Sequence, residues 1–274
     1  MAGRKHIIPG FRFGMGLTLF YLFLIVLIPL VSLVLKASGM GWDKFLAAVL
    51  DPRTMHSYYV SFGCAFIAAG INGFFGMILA WVLVRYEFPG KKIMDGLIDL
   101  PFALPTAVAG IALTSLYSEN GWIGKLLYAM GIQSAFSLLG ITIALVFIGI
   151  PFVTRSIQPV LEELDRQYEE AAKTLGADQW TIFRRVIFPE LLSPLLTGFG
   201  LAFARGIGEY GSVVFIAGNM PYQTEIAPLM IMSKLEQYDY YSAAAIALVL
   251  LVLSFVILFG INLWQWRLNQ VRGL

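Results

Sequence analysis

Charge is what this sequence most lacks. Asp, Glu, Lys and Arg make up 13% of its 274 residues, about half of the ~25% typical of soluble domains. Hydrophobic residues make up 58% and the mean hydropathy is +0.77, so the apolar surplus needs a solvent other than water, which excludes a water-soluble enzyme. A net charge of +2 without basic clusters excludes a nucleic-acid binder. The single cysteine, Cys64, rules out an internal disulfide and any CxxC redox or zinc pair; within a span it reads as a small packing residue. His6 and His56 are the only histidines and read as surface residues near or outside span ends. They leave no HExxH zinc site, no metal centre and no basis for a His-assisted intramembrane hydrolase. Lys173-Thr174 is the only Lys followed by Ser or Thr, and Ala172 precedes it where a phosphate-binding loop needs Gly. No catalytic residue is assigned, and the chain binds no ATP or other cofactor by itself.

What is abundant is long apolar runs. About 20 residues at a rise of ~1.5 Å cross a ~30 Å hydrocarbon core as a helix. Six runs qualify: Gly14 to Leu35, Tyr59 to Val84, Ile98 to Tyr117, Phe136 to Thr154, Leu195 to Ala217 and Ser242 to Trp264. They run continuously instead of alternating in ~10-residue segments, which selects helices over a barrel. The first run follows Arg4, Lys5 and Arg12 as a secretory signal would. It is too long for an ordinary signal core and lacks a small residue three positions before a cut, so it reads as a retained helix. No low-complexity tract, long linker or internal repeat appears, and residues 1–274 read as one all-α integral membrane domain.

Orientation follows from Lys and Arg in the connecting segments. The N-terminus, the loop Arg85 to Lys92, the loop Arg155 to Arg185 and the C-terminal tail hold 13, whereas the other three loops hold 5 (Lys36, Lys44, Arg53, Lys125 and Lys234). Both termini are therefore cytoplasmic. The longest cytoplasmic loop, Gln158 to Ser193, gathers seven of the chain's seventeen acids. Leu161, Leu164, Tyr168, Ala171 or Ala172, and Leu175 recur at helical spacing and predict one helix. Gly176 stands where a left-handed residue would end that helix, Asp178 can cap a second short helix with Trp180, Ile182, Phe183 and Val186, and Pro189 closes the unit. An apolar stripe outside the membrane packs either on its own bundle or in a groove on a cytoplasmic partner.

The string Glu170-Ala171-Ala172, then Gly176, then Val186-Ile187-Phe188-Pro189 resembles the EAA loop of ABC importer permeases. Val186 and Phe188 replace the family's Ile and Leu. Asp99 to Gly110, Gly206 to Gly211 and Phe215 to Asn219 resemble sulfate and molybdate permeases. Arg85-Tyr86, Phe88-Pro89-Gly90 and Gln158 to Leu164 are similar to the T-type permease subunit of sulfate/thiosulfate importers. The resemblance implies the type I importer (MetI-like) permease fold in a bacterial plasma membrane. It also implies partners: a second, W-type permease subunit, two copies of an ATPase that binds the ATP, an extracytoplasmic sulfate-binding protein, and sulfate or thiosulfate as cargo. Glu170, Ala171, Ala172, Gly176 and Pro189 would then contact the ATPase.

Inside the fifth predicted span, Arg205 and Glu209 are four apart, on one face of a helix, and must point away from lipid. Two readings remain: a neutralised pair that fixes packing, or an Arg205 that lines the pathway while Glu209 weakens its hold on sulfate, since a permease needs weak sites. Gly198, Gly200, Gly206, Gly208 and Gly211 thin that helix for a close neighbour or a local unwinding. Pro101 and Pro105 each remove a backbone donor and should bend the third span, as a gate or as a static kink. Thr106 and Thr114 can bond back to the backbone. On the far side, Asn219 to Tyr241 is polar and tyrosine-rich, with Tyr240 and Tyr241 as interface anchors and the rest a surface for the binding protein. The alternatives are a secondary anion transporter or channel, which would show inverted halves and more intramembrane charges, and a molybdate or tungstate ABC permease.

Overall fold

A computed structural model describes residues 11–271; Arg4, Lys5, His6 and Arg272 lie outside them. The described chain is helical: α1 (Phe13–Ser38), α2 (Trp42–Val49), α3 (Pro52–Arg85), α4 (Lys91–Ile98), α5 (Leu100–Ala103), α6 (Thr106–Tyr117), α7 (Trp122–Ala129), α8 (Leu138–Glu163), α9 (Arg166–Thr174), α10 (Gln179–Ile207), α11 (Val213–Ile216), α12 (Ala227–Glu236) and α13 (Tyr240–Val271). Five of these, α1, α3, α8, α10 and α13, are long and apolar enough to cross a membrane. The remaining predicted crossing, Ile98 to Tyr117, is not one helix. It is divided between the end of α4, α5 and α6, with only Thr106–Tyr117 an apolar helix of some length.

Several helices outrun the hydrophobic runs, because polar turns extend a helix past the bilayer without raising its hydropathy. α3 begins at Asp51, whose carboxylate accepts from Arg53 N (3.1 Å) and Thr54 N (3.2 Å), with Pro52 in the first turn. α8 starts on Ser137, which accepts from Gly140 N, and continues through Pro151 and Pro159 to Glu163. The fifth span starts earlier and stops sooner than Leu195 to Ala217: α10 begins at Gln179 in the cytoplasmic loop and ends at Ile207.

The core is a three-helix unit of α3, α8 and α10, the elements with the most extensive mutual packing. Small residues permit it. A Cβ on Gly198 of α10 would lie 2.7 Å from Val153 Cα of α8, and one on Gly76 of α3 would lie 2.9 Å from Val153 Cβ. One valine is therefore gripped between two glycine faces, the close approach that membrane helices use where lipid gives no hydrophobic drive. Cys64 is buried here as a packing residue. α13 closes one side, and the outer half of α1 leans on α13.

The tight contact gives an expected outcome. Gly198→Leu should destabilise the bundle by about 1–3 kcal/mol through overpacking. Gly200→Leu, where a Cβ meets nothing nearer than 3.8 Å, should cost less. Thermal melts of the two variants in one detergent check the order; equal losses would refute it.

Candidate functional site

Two interrupted helices meet inside the bundle. α10 ends at Ile207, and the chain runs without helix from Gly208 to Ser212 before α11. Opposite, α5 ends with Leu104 extended (ψ 135°) and Pro105 starts α6, so Pro105 breaks the helix where a bend was expected. Pro101 sits in the first turn of α5, where a missing donor costs nothing. The two breaks touch. A Cβ on Gly110 would lie 2.5 Å from Ser212 O, and one on Gly211 would overlap the Thr106 hydroxyl. The glycine run thus serves both purposes, with Gly198 allowing close packing and Gly208 to Gly211 unwinding. Thr114 bonds back to Gly110 O at 2.7 Å.

Glu209 holds the unwound segment together. It is 2% exposed; one oxygen accepts from Ser212 N (2.8 Å) and Ser212 Oγ (3.0 Å), while the other accepts from Arg205. The pair therefore forms, but not on one helix face: Arg205 is in the last turn of α10, where a cation complements the helix dipole, and Glu209 lies beyond its end. The Arg205 side chain is about one third exposed, so its other flank is open.

Two further ion clusters escaped the sequence reading. On the cytoplasmic side, Arg155 of α8 donates through Nε (3.0 Å) and Nη2 (2.6 Å) to Asp99, and through Nη1 (2.6 Å) to both Asp95 and Gln158. That ties α8 to the α4–α5 elbow. On the outer side, Arg53 donates to Glu225 through Nε and Nη2, both at 2.7 Å, and Glu225 is 1% exposed. Ala227 N donates to Ser61 Oγ alongside. His56 is half-buried with its ring against Tyr222, 6.5 Å between centroids, so it is not a free surface residue.

The cytoplasmic loop differs from the expected hairpin in two ways. Leu161 belongs to α8, and the helix predicted across it breaks at Leu164, where Asp165 turns its carboxylate to Gln167 N (2.9 Å) and starts α9. Pro189 does not close the unit. A π turn over Phe183–Ile187 precedes it, and the widened turn lets the helix carry a proline onward into the membrane. Gly176 does end α9, at φ +83°, with Ala177 N reaching back to Ala172 O (3.1 Å). The Thr181 hydroxyl and nearby N–H groups hold the Asp178 carboxyl below the usual carboxylate range at the start of the next turn.

One face of this loop packs on the bundle through Ala172, Ala177 and Ile182, and the other carries exposed Tyr168, Leu175 (88%) and Trp180 (65%). Glu170 and Ala171 are also exposed. The loop is anchored by an ion pair from Arg85 at the end of α3 to Glu169, and by Phe183, which stacks on Trp180 and meets Trp81 edge-on.

A multi-pass bundle with opposed helix breaks, and a braced cytoplasmic loop that exposes an apolar ridge, is the build of a transport permease subunit. Residues 72–269 match the family described as binding-protein-dependent transport system inner membrane component, and the chain belongs to that family. It is 47% identical over 266 residues to the sulfate transport system permease protein CysT of Salmonella typhimurium, covering 97% of this chain and 96% of that one. Identity to the protein of the same name from Escherichia coli is 46% with the same coverage. For the probable sulfate permease of Chlorokybus atmophyticus it is 50% over 255 residues, covering 93% and 89%. In structure it resembles a chain of a bacterial alginate ABC transporter in complex with a pentasaccharide-bound periplasmic protein, at TM-score 0.77, 16% identity and 94% coverage of both. A methionine ABC transporter in an inward-facing conformation matches at TM-score 0.53 and 17% identity, covering 81% and 98%. At such identities the structures share the fold.

The Arg155 cluster is testable by charge exchange. Arg155→Asp should lower thermal stability, and adding Asp99→Arg should restore part of it. A coupling of about 1 kcal/mol is expected for so exposed a pair. Strict additivity in a double-mutant cycle would remove the cluster's role as a tie.

Proposed function

We propose that this chain is a permease subunit of an ATP-driven importer of sulfate, with thiosulfate as a second cargo. The names of relatives at 46–50% identity across nearly the whole chain support sulfate. Thiosulfate rests on the likeness of the segments Arg85 to Gly90 and Gln158 to Leu164 to T-type subunits. In this reading a second, W-type permease subunit completes the pathway, two ATPase subunits bind and hydrolyse ATP, and an extracytoplasmic binding protein delivers the anion.

The observation that carries the coupling is the ridge of Tyr168, Leu175 and Trp180, exposed on a loop that is otherwise braced to its bundle. Exposed apolar residues on a rigid helical unit suit the groove of another protein. Glu170, Ala171, Ala172 and Gly176 lie along the same unit, while Pro189 lies where its helix continues toward the membrane. When the ATPase pair closes on ATP, the two loops are drawn together. Because α10 runs unbroken from Gln179 to Ile207, displacement of its cytoplasmic end reaches the Arg205–Glu209 break as rigid-body motion. The break lets the outer segment stay while α10 swings. Arg205, with one open flank, offers positive potential to an anion without enclosing it, and Glu209 moderates that field. The cargo shifts the equilibrium only by its differential affinity for the two states, so the work enters through the loop.

Co-purification tests the coupling: the ATPase subunit should come down with the chain, and Gly176→Arg or Glu170→Arg should release it while the two permease subunits stay together. Sulfate uptake by vesicles without any ATPase would reject the proposal. Arg205→Ala should reduce sulfate uptake by far more than it reduces assembly; equal losses would assign the pair to packing alone.

A further inference from the structure

The helix that carries the proposed coupling, α10, has a weak point. Pro194 stands inside it, directly after the cytoplasmic loop, and has no amide to give to the Glu190 carbonyl. Pro189 is accommodated by the π turn just before it, whereas the chain passes Pro194 as plain α-helix with no such adjustment. A helix that has lost a rung bends most easily at that rung. Displacement of the Gln179 end would then be taken up as bending at Pro194 before it reaches Arg205.

A side chain from another helix spans that point. Gln265 of α13 donates from Nε2 to Ser193 Oγ (3.0 Å) and Ser193 O (3.1 Å), just before the proline, and to Thr197 Oγ1 (2.8 Å), just after it. Thr197 Oγ1 itself donates to Ser193 O at 3.1 Å. One amide thus closes a polar knot over the turn that contains Pro194. A turn further on, the contact between the same two helices is looser and apolar, since a Cβ on Gly200 would meet Ile261 at 3.8 Å and Leu258 at 4.0 Å. In a helix as apolar as α13, a buried or half-buried amide is costly without partners, and polar side chains of this kind join membrane helices to one another.

We propose that Gln265 is a positioning residue for transport: it splints α10 across Pro194, so that displacement of the cytoplasmic end arrives at the Arg205–Glu209 break instead of being lost as bending. This rests on the coupling through α10 proposed above. Gln265 acts through Ser193 and Thr197, and its weight falls on the yield of transport from each ATP.

The whole complex, reconstituted in liposomes with its binding protein, tests this as sulfate taken up per ATP hydrolysed. Gln265→Leu, of similar length but without a donor, should lower that ratio about fivefold, the equilibrium weight of one hydrogen bond, while assembly stays as in the wild type. Gln265→Lys, which keeps donors within reach of the same oxygens, should retain most of the ratio. Pro194→Ala added to Gln265→Leu should restore it, because the Glu190 carbonyl regains its donor and no weak point is left to splint. A wild-type ratio in Gln265→Leu would overturn the inference, as would a double variant no better than Gln265→Leu alone. Loss of assembly in Gln265→Leu would also overturn it, leaving Gln265 a packing tie. A wild-type complex that hydrolysed ATP with no uptake at all would instead reject the coupling itself.

Discussion

Inside a bilayer no water waits to take a freed hydrogen bond, so a membrane helix can be interrupted only where protein supplies the missing partner. That constraint organises this molecule. The interruption after Ile207 persists because one carboxylate, Glu209, receives the Ser212 amide and hydroxyl on one oxygen and the Arg205 guanidinium on the other. Burying a carboxylate is costly unless it is both paired and hydrogen-bonded, and here it is both. The partner interruption at Leu104–Pro105 requires less, since a proline has no donor to satisfy, and the bare backbone at Gly110 and Gly211 lets the two breaks lie against each other. Remove the carboxylate and the segment Gly208–Ser212 has no reason to stay unwound.

The same economy explains the other two charge clusters. Each joins parts of the chain that packing alone would leave loose: Arg155 holds the α4–α5 elbow to α8, and Arg53 holds the outer segment around Glu225 to the start of α3. The bilayer sets helix positions but says little about the short pieces at either surface. Bidentate guanidinium–carboxylate pairs fix direction as well as distance, which a lysine would not do. The three-helix core is therefore bounded at both faces by arginine clamps, with a third arginine, Arg85, extending the same device to the cytoplasmic loop.

Much of this was legible in the residues, within limits that have physical causes. Hydropathy located the five long crossings because lipid exposure selects composition directly. It missed their ends, since turns such as Gln158–Glu163 are helical yet polar. It also made one span of Ile98 to Tyr117, because apolar content does not register a backbone break; only Pro105 signalled one. Gly176 was correctly placed as a left-handed terminus, whereas Pro189 misled, because a π turn upstream cannot be seen in a one-dimensional pattern. The pair Arg205–Glu209 was visible because its members are four residues apart. Arg53 and Glu225 are 172 apart and Arg155 and Asp99 are 56 apart, and no local rule links positions at those distances. The charged spacing in Asp95-x-x-x-Asp99, on one helical face, was the available signal that a cation would meet it.

The proposed coupling makes α10 a lever, which needs a stiff arm, a fixed seat and a joint, and these requirements conflict within one helix. The chain separates them along α10. Stiffness comes from continuity from Gln179 to Ile207, preserved across Pro189 by the π turn instead of ending there. The seat is the aromatic stack of Trp180, Phe183 and Trp81 with the Arg85–Glu169 pair, which joins the loop to α3. The joint is the unwound Gly208–Ser212, where the Glu209 carboxylate accepts from the Ser212 amide and hydroxyl and from Arg205. Had the helix continued to Ala217, as its hydropathy suggests, the outer segment and α10 would be one rigid rod, and the proposed swing of α10 would have to carry the outer segment with it.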